Sequence, residues 1–281
     1  MTTPTTSSYK SKILHKFLFP MNFICKKFLK LGAHIHYNLA VPIYKVQTKY
    51  GAIYLHSDSP VLLMRSMSFH QKEPETLEWI DSMSENDILY DVGANVGLYS
   101  LYASKKGLSV YAFEPESLNY AELNKNIYLN QIKNIHAYNI GLNKKTVFDS
   151  LNLSTFTKGW SMHTATQAKD FEHKPFEPAY RQGLFLASLD DLVEKFGLPV
   201  PNYLKIDVDG LEPEIIQGAE KTLQRSELKS ILIELNESCS ADLKVIHTLE
   251  AYGFSLQKKE RADCIDSEKF ATLYNFIFVK P

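Results

Sequence analysis

Residues 88–97 read Ile88-Leu-Tyr-Asp-Val-Gly-Ala-Asn-Val-Gly97, a β-prone run of five residues that breaks into a turn with two glycines. Residues 96–105 can continue as a helix, so the glycines stand where a strand passes into a helix. Doubly wound sheets bind ligands at the carboxyl ends of their strands. The turn is therefore a candidate ligand site, in which Gly93 and Gly97 let the backbone approach a ligand and Asn95 tolerates turn geometry. A plain tight turn is the alternative.

The chain beyond this turn continues to alternate between strand and helix patterns. The helix predicted at residues 116–130 places Tyr120, Leu123 and Ile127 on one face. The predicted strands cover residues 88–92, 108–113, 135–140, 203–207, 229–235, 254–257 and 273–279, of which the last two form an antiparallel pair. We therefore predict an α/β fold with a Rossmann-like, seven-stranded, mostly parallel, doubly wound sheet whose last strand is reversed.

The domain organisation follows from where this alternation starts and where it is interrupted. The 281 residues show no repeat and no long linker, so one main domain is predicted at residues 58–281, after a basic N-terminal extension at residues 1–57. Residues 143–185 contain turn formers, aromatic residues and two short β-like runs, and they are interpreted as an insertion over one face of the sheet. Insertions of this kind often carry substrate contacts.

Charge separates the extension from the rest of the chain. Eight lysines and no acidic residue precede Asp58, which leaves 23 basic against 32 acidic residues in the remainder. Apolar residues intersperse these lysines, so the extension is either a solvated basic arm or packing segment, or a segment that contacts an anionic membrane surface. Because the remainder carries a net charge of −9, nucleic acid is disfavoured as a partner.

Cysteine usage and hydropathy indicate the compartment. Cys25, Cys239 and Cys264 are odd in number and widely spaced, which indicates buried or idle thiols in a reducing environment, with neither a disulfide framework nor a zinc ligand set. The longest run without charged residues, at 31–44, is shorter than the roughly 20 apolar residues of a membrane-spanning helix. The N-terminal sequence also does not fit a secretory signal. We therefore expect a cytoplasmic protein, with peripheral membrane attachment left open.

A second candidate for ligand binding lies at the end of the second predicted strand. Glu114 follows Asp91 by 23 positions, where an acidic side chain can accept hydrogen bonds from both ribose hydroxyls; a solvated carboxylate is the alternative. The turn is not the dinucleotide motif Gly-x-Gly-x-x-Gly, because Asn95 occupies the middle position. Together these features indicate a nucleoside ligand with a positively charged tail that is not a phosphate.

Several segments, taken in order, resemble the FkbM family of S-adenosylmethionine-dependent methyltransferases. They are Asp91-Val-Gly-Ala-Asn-Val-Gly-Leu-Tyr-Ser100, Ala112-Phe-Glu-Pro115, Asn126-Ile with Asn130, Leu189-Asp-Asp191, Leu204-Lys-Ile-Asp-Val-Asp-Gly210 and Ile233-Glu234 with Asn236. The resemblance covers about residues 85–280 and does not include residues 1–57. It implies the class I methyltransferase sheet and methylation of a hydroxyl, often on a sugar or a polyketide-type product.

The resemblance also implies roles for individual residues. The turn, with Asp91, Gly93, Asn95 and Gly97, would hold the methionine and ribose parts of the cofactor. Glu114 would bind the ribose diol, and Asn139 and Gly141 would flank the adenine. Asp207 would lie beside the reactive methyl group, and Asp209 and Glu234 could share that site.

Methyl transfer to a hydroxyl gains from a general base, and three side chains are candidates. Asp207, Glu234 or His163 could accept the hydroxyl proton, because histidine has a suitable pKa and burial can raise that of a carboxyl group. For each of them a purely structural role is the alternative. The carboxylates could also bind Mg²⁺, although a metal site is not favoured.

These observations lead to one main functional hypothesis and two alternatives. The first is an O-methyltransferase that acts on a hydroxyl of a sugar, a glycan or a related polyhydroxylated metabolite. The others are a nicotinamide-dependent dehydrogenase and a membrane-associated scaffold that keeps the fold without turnover. Aromatic residues of the insertion either stack on sugar rings or pack the insertion down; they are Phe156, Trp160, Phe171, Phe176 and Tyr180.

Overall fold

The computed structural model describes residues 42–168, 174–261 and 271–280. Residues Ile43–Pro281 form one compact unit. The basic, lysine-rich part of the predicted extension at residues 1–41 and the aromatic residue Phe171 lie outside the described residues, so their predicted contacts stay predictions. Among the described residues, no helix is both long enough and apolar enough to cross a bilayer.

The described chain begins with a hairpin of β1 (Ile43–Thr48) and β2 (Gly51–His56), followed by helices α1 (Pro60–Met67) and α2 (Pro74–Ser82). The hairpin alternates buried and exposed residues, and Val46, Ile53 and Leu55 are buried in the same hydrophobic cluster as the helices behind the central sheet. The hairpin falls within residues 1–57, which the sequence assigned to the extension. Its packing makes it part of the compact unit.

The central sheet has seven strands in the order β12-β13-β11-β10-β3-β4-β5. Their bounds are β3 Ile88–Val92, β4 Ser109–Phe113, β5 Ile135–Tyr138, β10 Tyr203–Ile206, β11 Ser230–Asn236, β12 Ser255–Glu260 and β13 Leu273–Val279. The strands from β11 to β5 pair in parallel, whereas β13 is antiparallel to both β11 and β12. The predicted seven-stranded, mostly parallel sheet with its reversed last strand is therefore confirmed.

Helices cover both faces of this sheet. Their bounds are α3 Leu98–Lys106, α4 Ser117–Leu129, α5 Leu189–Glu194, α6 Glu212–Gln217, α7 Glu220–Leu223 and α8 Ser240–Ala251. Successive strand residues enter opposite clusters, as Leu89 and Tyr90 of β3 show. A parallel sheet with both faces buried is expected to have nearly continuous apolar strands, as β3 and β11 do.

The predicted insertion forms a small sheet of its own. It contains β6 (Gly141–Leu142), β7 (Val147–Leu153), β8 (Thr164–Ala165) and β9 (Tyr180–Ala187) in the order β6-β9-β7-β8. Its buried residues make a separate cluster; they are Leu151, Leu153, Ala165, Leu184 and Leu186. The small sheet starts directly after β5 and ends directly before α5, so it stands next to the carboxyl ends of the central strands.

Candidate functional site

The glycine turn joins β3 to α3 and brings two strand ends into contact. Gly93, Asn95 and Gly97 all have positive φ angles, of 82°, 49° and 90°. A Cβ atom on Gly93 would clash with the carbonyl oxygen of Asp207, and one on Gly97 would clash with Leu123. Both positions therefore favour glycine for conformation, and Gly93 also needs it for space because its neighbour is a backbone atom. This close approach places the turn against the end of β10.

Glu114 ties the end of β4 to this turn. Its Oε2 accepts a hydrogen bond from the backbone N–H of Asn95 at 2.8 Å, and its Oε1 accepts one from the N–H of Glu116 at 2.8 Å. The side chain is buried, and burial raises its pKa to about 8 although these two N–H groups oppose the shift. The carboxyl group is therefore held beside the turn, as the sequence predicted, with acceptor capacity left on each oxygen.

Asn139 and Gly141 support the other side of Glu114. The amide of Asn139 donates to the carbonyl oxygens of Glu114 at 2.9 Å and Pro115 at 3.0 Å. Gly141 starts β6 and is packed so closely against Leu186 of β9 that a side chain would collide with it. The contacts of both residues shape the loop after Glu114, and their predicted position beside the adenine stays a prediction.

An apolar cavity opens at the carboxyl ends of β3, β4 and β5. Its empty volume is about 370 Å³, and this figure includes space that is open to solvent. Gly93, Pro115, Gly141 and Val208 line one side, and the insertion closes the other with Leu186 and further side chains. Small-molecule sites are typically concave and mostly apolar, with a few polar groups that orient the ligand. The cavity is therefore the candidate for the flat part of a nucleoside.

A buried lysine occupies the centre of the polar half of the site. The Nζ of Lys205 lies 2.8 Å from Asp207 Oδ2, 3.8 Å from Asp91 Oδ1 and 5.3 Å from the ring centroid of Tyr99. Although burial opposes its charge, the two carboxylates raise its pKa. Asp91 Oδ2 also accepts a hydrogen bond from Ser100 at 2.5 Å. Asp91 Oδ1 is buried and has no hydrogen-bond partner among the described residues.

Glu234 stands on the same face of the sheet as this lysine. Lys205 is the register partner of both Asp91 and Leu232, so Glu234, two residues after Leu232, faces the same side. Burial raises the pKa of Glu234 well above its usual range, and the neighbouring charge of Asp207 raises it further. Burial also acts on Asp207, but Lys205 and Lys72 hold the pKa of Asp207 below its usual range. The two carboxyl groups thus differ in proton affinity.

Asp209 links the end of β10 to the insertion. Its Oδ2 accepts hydrogen bonds from the backbone N–H of Met162 and, at 3.2 Å, from that of His163. Burial raises the pKa of Asp209 to about 6, with a further contribution from Asp207. These contacts make Asp209 an anchor for the insertion.

His163 lies in the wall of the cavity. Its Nδ1 accepts a hydrogen bond from the N–H of Ser154 at 3.3 Å, and its Nε2 is buried with no partner among the described residues. Burial lowers its pKa to about 4, so the ring is neutral near pH 7. A neutral ring with a pKa this low is a weak proton acceptor.

Trp160 connects the insertion to the glycine turn from the other side. Its carbonyl oxygen accepts hydrogen bonds from the amide of Asn95 at 3.0 Å and from that of Asn119 at 2.9 Å. Its indole remains 39% exposed. Phe156 and Tyr180 are also exposed and contact each other, with ring centroids 5.6 Å apart. The insertion therefore carries exposed aromatic residues, and one of them, Trp160, is bonded to the turn through its backbone carbonyl group.

Three charged residues before β3 complete the site and escaped the sequence analysis. Lys72 and Glu73 form an ion pair at 2.5 Å, and Glu73 is buried although it precedes α2. Arg65 donates from Nε to the carbonyl oxygen of Gly159 at 2.5 Å, and its charge acts on both Asp207 and Asp209. No motif surrounds these residues, so only tertiary packing reveals them.

A metal site is not visible in the part of the chain that the structure describes. There, no group of three or more His, Cys, Asp or Glu side chains is arranged to hold a metal ion. The Mg²⁺ alternative stays a hypothesis.

The proteins to which this chain is similar are described as methyltransferases. Residues 91–256 match the methyltransferase FkbM domain family. The chain is 27% identical over 208 residues to methyltransferase sdnD of Sordaria araneosa, which covers 66% of this chain and 79% of that protein. It is 26% identical over 157 residues to the hexuronic acid methyltransferase AglP of Haloferax volcanii, with 56% and 59% of the two chains covered. Among solved structures, a precorrin-6y C5,15-methyltransferase from Geobacter metallireducens superposes with a TM-score of 0.44 at 14% identity, covering 74% of this chain and 87% of that one.

Proposed function

The chain belongs to the FkbM methyltransferase family, which matches more than half of its length, and on that premise we propose that it methylates a hydroxyl group of a sugar, glycan or related polyhydroxylated metabolite. The family assignment makes the chain an S-adenosylmethionine-dependent methyltransferase. The dehydrogenase alternative finds no support in these matches. Which group accepts the methyl is the proposal.

The cofactor site proposed here consists of the glycine turn, Asp91 and Glu114. S-adenosylmethionine supplies an electrophilic methyl group on a positively charged sulfur. Asp91 Oδ1 accepts no hydrogen bond from the described residues, although Lys205 Nζ lies 3.8 Å away, so it keeps acceptor capacity for the cationic end of such a molecule, and Glu114 retains acceptor capacity for ribose hydroxyls. The residues present therefore fit the cofactor. Asn139 and Gly141 are proposed to flank the adenine by shaping the loop and the cavity, without a polar contact of their own.

Glu234 is the observation that favours a hydroxyl acceptor. A hydroxyl holds its proton tightly and gains from a general base whose pKa lies near the working pH. Burial and the charge of Asp207 raise the pKa of Glu234, so its carboxylate has a higher proton affinity than that of Asp207. Asp207 is held ionised by Lys205, and His163 is a weak acceptor, so neither matches as well. We therefore propose that the Glu234 carboxylate accepts the proton of the acceptor hydroxyl. We assign Asp207 a positioning role.

Two further observations support a sugar as the acceptor. AglP, a relative by sequence, carries the name of a hexuronic acid methyltransferase. In this chain the exposed indole of Trp160 is anchored through its backbone beside Asn95, and exposed aromatic rings suit the apolar faces of sugars. Because the anchoring group is the backbone carbonyl of Trp160, the Trp160→Ala variant keeps this hydrogen bond to Asn95. That variant should weaken acceptor binding several-fold without changing cofactor affinity.

The test combines cofactor binding with a screen of acceptors. Calorimetric titration with S-adenosylmethionine, S-adenosylhomocysteine and NAD⁺ should show binding of the first two alone. Formation of S-adenosylhomocysteine is then measured with hexuronic acids, neutral hexoses and amine-bearing acceptors. Glu234→Gln should lower kcat by about 10²–10⁴ while S-adenosylhomocysteine affinity stays the same.

Distinct outcomes would contradict distinct parts of the proposal. Methylation of amines in preference to hydroxyls would reject the acceptor class. A Glu234→Gln variant with full activity would reject the base. Cofactor binding without turnover on any acceptor class would favour the scaffold alternative.

A further inference from the structure

His163 is the one polar side chain among the cavity-lining residues that the structure describes. The other lining residues are two glycines and residues with aliphatic or aromatic side chains, such as Phe113, Pro115, Leu184 and Val208. A cavity with apolar walls and a single polar group fits a flat heterocycle that stacks on both faces and forms a directed hydrogen bond at its edge. The cavity also adjoins Gly93 and the residue after Glu114, so its contents would be continuous with a ribose held by Glu114.

The hydrogen bonding of His163 fixes what its free nitrogen can do. Nδ1 accepts the N–H of Ser154, so in the neutral ring the proton resides on Nε2. Nε2–H is therefore a donor, and it is buried with no partner among the described residues. A buried donor without an acceptor is unfavourable, and such groups in native proteins call for an explanation. A ligand atom that accepts a hydrogen bond would satisfy it.

The insertion holds this donor in place independently of the histidine ring. The backbone N–H groups of Met162 and His163 both bind Asp209, at the end of β10. On the opposite side of the ring, Ser154 directly follows β7. A side chain fixed from two strands loses little freedom when a ligand arrives.

We propose that His163 is a cofactor-recognition residue whose Nε2–H donates a hydrogen bond to a ring nitrogen of the adenine. The inference deepens the proposed function and rests on its cofactor site. It moves His163 from the candidates for general base to the binding of the nucleoside. It also gives the insertion a part in cofactor selection, whereas the sequence offered it a role toward the acceptor.

The experiment compares cofactor analogues rather than turnover. Calorimetry measures the dissociation constants of S-adenosylhomocysteine and of three analogues in which N1, N3 or N7 of the adenine is replaced by CH. The proteins are the full chain, His163→Leu, which removes the donor, and His163→Gln, which keeps an N–H donor of similar reach. His56→Leu, at a half-buried histidine that does not line the cavity, is the matched control.

The full chain and the control should bind one analogue roughly 3- to 10-fold more weakly than S-adenosylhomocysteine, the size of effect expected for one neutral hydrogen bond. His163→Leu should lose this preference, and His163→Gln should keep part of it. Thermal unfolding confirms that each variant is folded, and S-adenosylhomocysteine should raise the Tm of His163→Leu least.

The same titrations separate the failure of this inference from that of the function. If every variant binds S-adenosylhomocysteine but His163→Leu discriminates among the analogues as the full chain does, the role of His163 is rejected and the cofactor site stands. If the folded full chain binds none of the four compounds, both proposals are rejected.

Discussion

Lys205 is a buried cation between two carboxylates, and its removal should affect stability strongly. In Lys205→Met the buried carboxyl group of Asp91 and the partly exposed carboxylate of Asp207 would lose the cation that lies between them. Breaking a buried ion pair on one side typically costs about 3–5 kcal/mol. We expect a loss of that size in the free energy of unfolding, measured by urea denaturation near pH 7.

The control is a lysine in a similar pair at the surface. Lys229 lies 2.9 Å from Asp87, and its side chain is 47% exposed. Lys229→Met should change the free energy of unfolding by less than about 1 kcal/mol. Equal effects of the two substitutions would show that Lys205 is not a buried counter-ion.

Glu114 should make both cofactor affinity and stability depend on pH. Burial raises its pKa to about 8, while the N–H groups of Glu116 and Asn95 and the charge of Arg65 oppose the shift and the charge of Glu116 adds to it. Ribose hydroxyls donate hydrogen bonds, so the ionised carboxylate binds them better. The affinity for S-adenosylhomocysteine should therefore rise between about pH 6 and about pH 8 and then level off. Glu114→Gln should flatten this rise in calorimetric titrations.

The stability of the free protein should follow the opposite direction. A carboxyl group with a raised pKa in the folded state stabilises the fold when protonated. That contribution is complete below the unfolded pKa of about 4.5 and is lost as the pH rises through about 8. Relative to the wild-type chain, Glu114→Gln should therefore gain stability between about pH 4.5 and about pH 8. A constant difference across this range would contradict the raised pKa.

At the scale of elements, helix α4 attaches the first hairpin to the glycine turn. Asn126 is fully buried; its Oδ1 accepts the N–H of His56 at 2.9 Å, and its amide donates to the carbonyl oxygen of Val96 at 2.9 Å. Asn126→Ala would leave both backbone groups without this partner. A loss of about 2–4 kcal/mol in the free energy of unfolding is expected, because each unsatisfied buried group costs about 1–3 kcal/mol.

Asn124 provides the comparison on the same helix. Its exposed amide binds only the carbonyl oxygen of Tyr120 within the helix, among the contacts of the described residues. Asn124→Ala should change the free energy of unfolding by no more than about 0.5 kcal/mol. If both variants unfold at the same urea concentration, the hairpin is not attached through Asn126.

At the scale of the whole molecule, the succession of strands and helices along the chain and the glycine turn were predictable because both depend on local pattern. Short, nearly continuous apolar runs and the pair Gly93 and Gly97 are visible without any contact map. The pairing of β12, β13 and β11 follows the rules that limit how strands connect. The position of Glu114 was predictable for the same reason, since it follows a strand.

Other parts of the site depend on contacts that no local pattern encodes. Glu73 and Lys72 reach the site because α2 packs behind the sheet, and a buried acid looks like any surface acid in sequence. Burial raises the pKa of Glu234 and lowers the pKa of His163, and this burial also depends on tertiary packing. The hairpin β1–β2 lies outside the matched residues 91–256, so motif comparison could not assign it to the domain.

The hairpin supplies the last prediction, which concerns where the folding unit begins. A chain that starts at Pro42 keeps the buried side chains of Val46, Ile53 and Leu55, whereas a chain that starts at Asp58 loses them. Burying such side chains contributes about 1.5–3 kcal/mol each, before the entropy of ordering the hairpin is subtracted. Both chains lack the residues before Pro42, so their difference reports the hairpin alone. The chain from Pro42 should unfold at a higher urea concentration and bind S-adenosylhomocysteine, while the chain from Asp58 should be unstable or aggregate through the exposed core. Equal unfolding midpoints would place the start of the folding unit at residue 58, where the sequence put it.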